Sequence, residues 1–207
     1  MLEKLASSLG RKDELPNIEL AQFLFQNRDV DGIVQIVEGF KGNSKTIAGD
    51  CIKVLYEIGE RDPDLISNYA KVFIEGLMSK YNRLVWGSMA ALSKIVGIAH
   101  EEIYDGIETI LAAYGKGSVI TIDNSISVLA GLCKAGYEER ILPLLIGHLE
   151  NCRPKEVPQH AERMSVCFDA NNAKQFIETL EKRMPGLGAS QQARVKKLLK
   201  NLQRLPS

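Results

Sequence analysis

The segment SKTIAGDCIKVLYEI, residues 44–58, is the first of three similar helical segments in this chain of 207 residues. Its small and apolar residues lie three or four positions apart, which places them in one stripe along a helix. Adding 37 to each position, and then 37 again, gives small or apolar residues at every equivalent place. The fifteen positions are Ala48, Cys51, Ile52, Leu55, Ile58, Val85, Ser88, Met89, Leu92, Ile95, Ile122, Ser125, Ile126, Leu129 and Leu132.

The helices between these segments repeat with a spacing of 38 residues, and Gly, Asn and Pro separate them. Two helices per unit therefore recur along the chain. We predict five pairs: 29–40 with 44–60, 64–79 with 82–98, 101–114 with 118–136, 138–150 with 156–170, and 172–184 with 190–204. Residues 1–28 supply one or two leading helices, in which Phe23, Leu24 and Phe25 cover the open apolar face of the first pair.

This pattern resembles HEAT or armadillo repeats, and the two-helix unit favours HEAT. The resemblance covers residues 29–150 well and residues 151–205 loosely. It implies an all-α fold, a right-handed α-α superhelix (solenoid) with about five helix pairs and an N-terminal cap. We expect a single domain over residues 1–207, ending in degenerate pairs and a basic C-terminal helix.

Composition places the chain among ordinary globular proteins, with 45% hydrophobic and 25% charged residues. Its 26 cationic and 26 acidic residues cancel, which argues against a general nucleic-acid binder. The apolar runs are too short to span a bilayer, and the first residues lack the apolar core of a secretory signal. We therefore expect a cytoplasmic protein with reduced cysteines. Because the cysteines show no C-x-x-C pair and no zinc spacing with histidine, we expect no metal or other cofactor.

The resemblance implies that the second helix of each pair lines a concave binding surface. Positions opposite the apolar stripe give the candidate partner-binding residues, which are Trp86, Asp50, Lys53, Lys94, Asp123, Asn124 and Ser127. Their charges nearly cancel, which favours a protein or peptide partner over a phosphate backbone. Glycines beside Trp86 leave shallow spaces in which this residue could anchor a partner. The alternative is that Trp86 folds sideways and only packs on the neighbouring pair.

The chain from Lys182 to Ser207 contains seven cations and no carboxylate. A second candidate site would therefore bind an anionic partner: an acidic protein, RNA or an anionic membrane surface. Its residues would be Arg194, Lys196, Lys197, Lys200 and Arg204. The alternative is that this helix is a solvated cap of the repeat array.

Core positions of the fourth pair break the pattern, because His160 and Arg163 fall where apolar residues are expected. Either the helix is rotated so that Met164, Cys167 and Phe168 form the stripe, or the site is a polar pocket. Rotation is the commoner solution, since a buried arginine needs a paired carboxylate.

Catalytic patterns are scarce. Di-iron hydroxylases with helical repeats bind metal through several His-Glu pairs, whereas this chain has the single pair His100-Glu101. HEAT-like alkylpurine DNA glycosylases are the strongest enzyme alternative, because Trp86 and Asp123 fall in one row of the concave surface. The missing cationic groove counts against them. We therefore expect a non-catalytic scaffold or adaptor that binds a protein or peptide.

Overall fold

The computed structural model describes residues 1–169 and 172–202. All regular structure in these ranges is helical. The α-helices are α1 Leu15–Asn27, α2 Val30–Lys41, α3 Lys45–Arg61, α4 Asp64–Ser67, α5 Ala70–Gly76, α6 Asn82–Ile95, α7 His100–Asp105, α8 Ile107–Lys116, α9 Val119–Leu132, α10 Glu138–Asn151, α11 Val157–Met164, α12 Ala173–Arg183 and α13 Ala189–Leu202. Two compact units divide the chain, unit 1 (Met1–Ser125) and unit 2 (Ile126–Ser207). The single domain expected from the sequence stays a prediction.

Side-chain caps fix the beginnings of α2 and α3. The carboxylate of Asp29 accepts a hydrogen bond from the backbone N–H of Gly32 at 2.8 Å, and the hydroxyl of Ser44 accepts one from Ile47 at 3.4 Å. Each cap satisfies a donor that the first helical turn leaves without a partner, and such caps stabilise a helix by about 1 kcal/mol.

The first helices of the second and third predicted pairs are each divided in two. A break at Asn68 and Tyr69 separates α4 from α5, and Gly106 separates α7 from α8. The backbone of Gly106 approaches α5 of the preceding unit closely, since a Cβ there would lie 2.7 Å from the side chain of Ile74. The expectation of uniform two-helix units is therefore wrong here. A short helix followed by two longer ones is the armadillo arrangement.

The repeating apolar stripe forms the core of unit 1. Ala48, Cys51, Ile52, Leu55 and Ile58 of α3 are all buried. Their equivalents in α6 are also buried, apart from the half-buried first position. Beside this stripe, the fully buried ring of Phe73 lies 6.4 Å from that of Phe40. The predicted equivalence of α3 and α6 is confirmed by this common burial.

The N-terminal helix covers the first pair with a different set of side chains from the one expected. Helix α1 packs mainly on α3, and its buried apolar residues are Leu20, Ala21 and Leu24. Phe23 stays 44% exposed beneath the ammonium group of Lys4, and Phe25 is half-buried. The predicted cap is thus correct for Leu24 and wrong for the two phenylalanines, because the helical period turns them away from α3.

Unit 2 has its own core around α12. The ring of Phe176 is fully buried and stacks on Phe168, with centroids 4.0 Å apart. Helix α11 ends at Met164, and this residue is buried together with Cys167 and Phe168, as the predicted rotation requires.

Both alternatives for the fourth pair are correct in part. The imidazole of His160 is fully buried, so a polar group does enter the core beside the rotated stripe. Arg163 avoids burial and donates a hydrogen bond to the hydroxyl of Ser127 at 2.6 Å.

A wide turn at Cys133–Tyr137 joins α9 to α10, and Gly136 in this turn has φ +102°. Gly136→Ala should lower the free energy of unfolding by about 1–3 kcal/mol, because an L side chain is strained in that region. No atom lies within 4 Å of the new Cβ, so strain alone would act. Gly147→Ala in α10 is the matched control, and there alanine should stabilise by about 0.5–1 kcal/mol. Urea unfolding of both variants measures the two changes in unfolding free energy. Equal changes would contradict the strained backbone conformation assigned to residue 136.

By length and composition, the helical stretch Val119–Asn151 could cross a bilayer. From the sequence, each uncharged apolar run in this stretch was predicted to be too short to span a bilayer. The helices that contain these runs follow one another directly, and together they reach 33 residues. Within the most apolar part, 44% of the residues are buried in the fold. Core helices pass the same test, so this stretch is weak evidence for a membrane span.

Candidate functional site

Two residues predicted to face a partner, Asp50 and Lys53, are buried at 5% and 8% exposure. One carboxylate oxygen of Asp50 accepts the backbone N–H of Ser7 at 2.8 Å, and the other lies 3.4 Å from the guanidinium of Arg83. The expectation that these two residues line an open surface is wrong, because the N-terminal segment folds over this part of α3.

Lys53 is the centre of a charged network. Its ammonium group lies 2.8 Å from the carboxylate of Glu57, 3.2 Å from that of Glu14 and 4.8 Å from the ring centre of Tyr56. Burial opposes the charged form of Lys53, yet the hydrogen bonds to Glu57, Tyr56 and Glu14 raise its pKa. Burial would likewise raise the pKa of Glu57, but hydrogen bonds from Lys53 and Arg61 outweigh it and lower that pKa.

This network should make unit 1 sensitive to acid. Because the folded-state pKa of Glu57 lies below its ordinary value of 4.5, the ionised carboxylate adds stability above that value. The added stability is lost as the pH falls through the lowered folded-state pKa. Glu57→Gln should cost about 1 kcal/mol of unfolding free energy at pH 7 and flatten this acid dependence.

The matched control for this prediction is Glu60→Gln, since the side chain of Glu60 is 60% exposed and pairs only with Lys94 among the interactions described. We expect a change below about 0.5 kcal/mol and an unaltered acid dependence. Urea unfolding between pH 3 and pH 7 measures both variants; an acid slope that Glu57→Gln leaves intact would contradict the role given to this network.

Trp86 is half-buried: it packs sideways as one of the two alternatives required, and part of its side chain stays accessible. Its ring packs sideways on Tyr56 of α3, with centroids 5.8 Å apart and planes tilted by 51°. The predicted shallow spaces beside it are wrong, because Gly87 and Ala90 are buried. A Cβ on Gly87 would lie 2.8 Å from Ile52, so this glycine allows α3 and α6 to approach closely.

The remaining candidates of unit 1 are half-buried around the same helices. Lys94 pairs with Glu60, and Asn124 donates to the carbonyl oxygen of Ile120 at 2.9 Å. The hydroxyl of Ser93 in α6 approaches the side-chain oxygen of Asn124 to 3.4 Å, which links α6 to α9. We call the partly exposed group the Trp86 surface: Tyr56, Glu57, Trp86, Lys94, Asp123 and Asn124. Ser127 belongs to unit 2 and accepts the hydrogen bond from Arg163.

The basic C-terminal helix leaves fewer of its cations available for an anionic partner than the sequence predicted. Lys196, Lys197 and Lys200 are exposed. Arg194 instead forms a two-pronged ion pair with Glu162, with one N–O distance of 3.0 Å. The apolar stripe Val195, Leu198, Leu199 and Leu202 is buried as predicted. Arg204 lies outside the described residues.

A histidine–cysteine cluster in unit 2 was missed by the sequence analysis. Its members are His148, Cys152 and His160, and their ligand atoms all lie within 4.8 Å of one another. Nε2 of His148 is 2.8 Å from Nδ1 of His160. The available signal was His148 and Cys152 four residues apart at the end of α10, followed by a short turn and His160. The search for C-x-x-C and His-Glu pairs passed over this spacing.

Two arginines hold the turn between α10 and α11, which carries this cluster. Arg183 donates to the carbonyl oxygen of Cys152 at 2.6 Å. Arg153 donates from Nε to the carboxylate of Glu156 at 2.8 Å, and this bond lowers the pKa of Glu156. The cluster therefore belongs to a turn whose two ends are tied by charge-assisted hydrogen bonds.

Unit 1 also contains three open cavities of about 410, 490 and 530 Å³. Their walls come from turns and from both helices of a pair, with Val34 and Ile47 in one and Val72 and Leu84 in another. None of their lining residues belongs to the Trp86 surface. These cavities therefore do not extend the predicted partner site.

No family model matches this sequence, and no curated protein is similar to it by sequence. Solved structures do match its fold. An engineered protein has a TM-score of 0.70 at 16% identity, over 98% of this chain and 96% of that one. A designed armadillo repeat protein in complex with the peptide (KR)4 has a TM-score of 0.67 at 11% identity, over 90% and 91%. Computationally designed armadillo repeat proteins for modular peptide recognition give 0.66 at 11% identity, over 89% and 91%. The predicted fold class is confirmed: the chain has an all-α helical-repeat fold of the armadillo/HEAT type.

Proposed function

We propose that this protein is a non-catalytic scaffold that binds a peptide segment of a partner on its Trp86 surface. The observation that carries the proposal is the half-exposed ring of Trp86, supported from one side by Tyr56. Aromatic residues held by neighbouring side chains are common anchors at interfaces. Two proteins of similar fold support the kind of ligand, since one was solved with a peptide and another was designed for peptide recognition.

The charges of unit 1 favour a basic peptide. This unit contains 18 carboxylates and 13 lysines and arginines. Near Trp86, Lys53 is buried and forms ion pairs with Glu14 and Glu57. Lys94 is paired with Glu60, whose side chain is 60% exposed. Excess carboxylate attracts basic side chains and speeds their association at low salt. The proposed ligand is therefore an extended segment with lysine or arginine beside an apolar residue.

Fluorescence anisotropy with labelled peptides tests this proposal. The probes are an alternating lysine–arginine octapeptide with one central leucine and a glutamate–aspartate peptide of equal length. We expect saturable binding of the basic peptide to the full chain, weakened by salt, and no binding of the acidic one. Equal affinity for both peptides, or binding of neither, would reject the proposal.

A matched pair of variants locates the binding. Glu60→Lys reverses a charge beside the Trp86 surface and should weaken the basic peptide about tenfold. Glu3→Lys reverses a charge outside the Trp86 surface, where the carboxylate of Glu3 pairs with the terminal ammonium group at 2.8 Å, and should change affinity much less. Equal losses of peptide affinity in the two variants would indicate that binding depends on the net charge of the chain and not on the Trp86 surface.

Anion binding by the C-terminal helix is the second candidate function. The exposed side chains of Lys196, Lys197 and Lys200 favour this function. The ion pair of Arg194 with Glu162 argues against it, because it neutralises one of the cations. Heparin retention of the wild type and of a triple alanine variant at the three lysines tests it. Earlier elution of the variant would support this function, and unchanged retention would remove it.

The glycosylase alternative receives little support from the described residues. Asp123 and Trp86 are both half-buried in unit 1. The two lysines predicted to line the concave surface do not face an open groove, because Lys53 is buried and Lys94 is paired with Glu60. A groove for damaged DNA needs several cations facing the phosphates. Base release from alkylated DNA is the direct assay, and release by the wild type would replace the scaffold proposal.

A further inference from the structure

We propose that His148, Cys152 and His160 of unit 2 form a binding site for a zinc ion, with solvent at the fourth coordination position. This site is separate from the Trp86 surface and does not depend on the scaffold function. The observation that carries it is the convergence of two imidazoles and a thiol, all with ligand atoms within 4.8 Å of one another. Nothing in the repeat pattern requires that convergence, since His160 occupies a position where an apolar residue would complete the core.

The positions of the three residues suit a metal ligand set. His148 lies in the last turn of α10, and Cys152 is the C-cap residue that directly follows this helix with an extended backbone. The backbone N–H of Cys152 donates to the carbonyl oxygen of His148 at 2.8 Å, which keeps the two residues together. His160 projects from α11, which packs on α10. The three ligands therefore come from the end of one helix, the residue that caps it and the neighbouring helix.

The distance between the two imidazole nitrogens requires only a small adjustment, whereas Sγ of Cys152, within 4.8 Å of them, must come to about 3.6 Å. Zinc–nitrogen bonds of about 2.0–2.1 Å at tetrahedral angles place two nitrogen ligands about 3.4 Å apart. Nε2 of His148 and Nδ1 of His160 lie 2.8 Å apart, so the two rings must separate by about half an ångström. His148 is half-buried, and a small rotation of its ring supplies this movement while the buried ring of His160 stays in place.

The 2.8 Å contact also requires one proton between the two rings. Two ring nitrogens at this distance share one proton, which one imidazole donates to the other. On zinc binding, both nitrogens act as ligands in the neutral form, and that proton moves to the opposite nitrogen of its own ring. The thiol of Cys152 binds as thiolate, so its proton leaves to solvent. Binding should therefore release protons and weaken as the pH falls.

The chemistry of the donors selects the metal. Two imidazoles and one thiolate suit zinc and cobalt, whereas calcium and magnesium require oxygen ligands. Three protein ligands leave a tetrahedral ion with one open position. Because His148 and Cys152 are both partly exposed, water can reach that position. Arg183 and the Arg153–Glu156 pair hold the intervening turn, so the three ligands are kept close before the metal arrives.

Cobalt titration of the full chain tests the site, with the protein reduced and freed of metal by chelation. Co²⁺ is the probe because its visible bands report tetrahedral coordination and its near-ultraviolet band reports a thiolate ligand. We expect one Co²⁺ per chain, both sets of bands, and displacement by Zn²⁺. Cys152→Ser should abolish the thiolate band and lower the affinity about tenfold or more.

Cys133→Ser is the matched control, since it removes a thiol of the same unit that is not in the cluster, and it should leave uptake unchanged. His148→Gln provides a second variant that retains the buried His160, and it should also lower the affinity. Far-ultraviolet circular dichroism checks that each variant is folded. Uptake that Cys152→Ser and His148→Gln leave intact would overturn the proposal. The absence of stoichiometric uptake by the wild type would also overturn it and would leave the two imidazoles as a hydrogen-bonded pair in the core.

Discussion

Phe73→Ala should lower the free energy of unfolding by about 3–5 kcal/mol. The ring of Phe73 is fully buried on α5 and lies 6.4 Å from that of Phe40 on α2, so its removal leaves a cavity between two successive repeat units. Deletion of a buried aromatic ring costs both its transfer free energy and the contacts around the cavity. Urea unfolding followed by circular dichroism measures this loss.

The matched control is Phe23→Ala, which removes a ring that is 44% exposed on α1. We expect a loss below about 1 kcal/mol, because most of the contacts of that ring are with solvent and the Lys4 side chain. Similar losses in the two variants would contradict the packing described for α2, α3 and α5. A loss below 1 kcal/mol for Phe73→Ala would do the same.

Trp86→Ala should weaken the basic peptide about 30-fold or more, which corresponds to the loss of an interface residue worth about 2 kcal/mol. Stability should fall by only about 1–2 kcal/mol, since the ring is half-buried and loses chiefly its contact with Tyr56. Anisotropy and urea unfolding on the same preparation separate the two effects.

Tyr81→Ala is the matched aromatic control at the beginning of α6. Its ring is 45% exposed and lies beneath the ammonium group of Lys45, away from the Trp86 surface. We expect unchanged peptide affinity in this variant. If both variants bind the peptide as the wild type does, Trp86 only packs on Tyr56 and the proposed anchor is wrong.

Helical periodicity was sufficient to predict the repeat. Ile52 and Met89 are 37 residues apart and both fully buried, because an apolar stripe along each helix leaves few ways to pack the next one. The cap at Ser44 was also predictable, since its hydroxyl acts on the adjacent turn. These features depend on residues close in sequence, where composition and spacing carry the information.

The break at Gly106 and the burial of Asp50 depend on distant residues. Asp50 meets Ser7 across 43 positions, and Arg83 meets Glu14 across 69. Helical spacing assigned Asp50 to the outward face correctly, yet the N-terminal segment then covered that face. Spacing within one helix cannot show which other segment packs on it.

The histidine–cysteine cluster was missed for a related reason. His148 and Cys152 lie close together at the end of α10, but His160 joins them only because the chain turns between α10 and α11. In the sequence, His160 was a polar residue at a core position, and this irregularity was the visible signal. Polar residues that interrupt an apolar stripe should be compared with cysteines and histidines on the preceding helix.

Emission from Trp86 is the most direct test of the proposed peptide-binding surface, because this is the single tryptophan of the chain. Titration with the unlabelled basic peptide should change its intensity or wavelength in a saturable manner, at one peptide per chain and with the affinity that anisotropy gives. If the peptide binds by anisotropy while the emission of Trp86 stays constant, binding occurs elsewhere and the Trp86 surface is not the partner site.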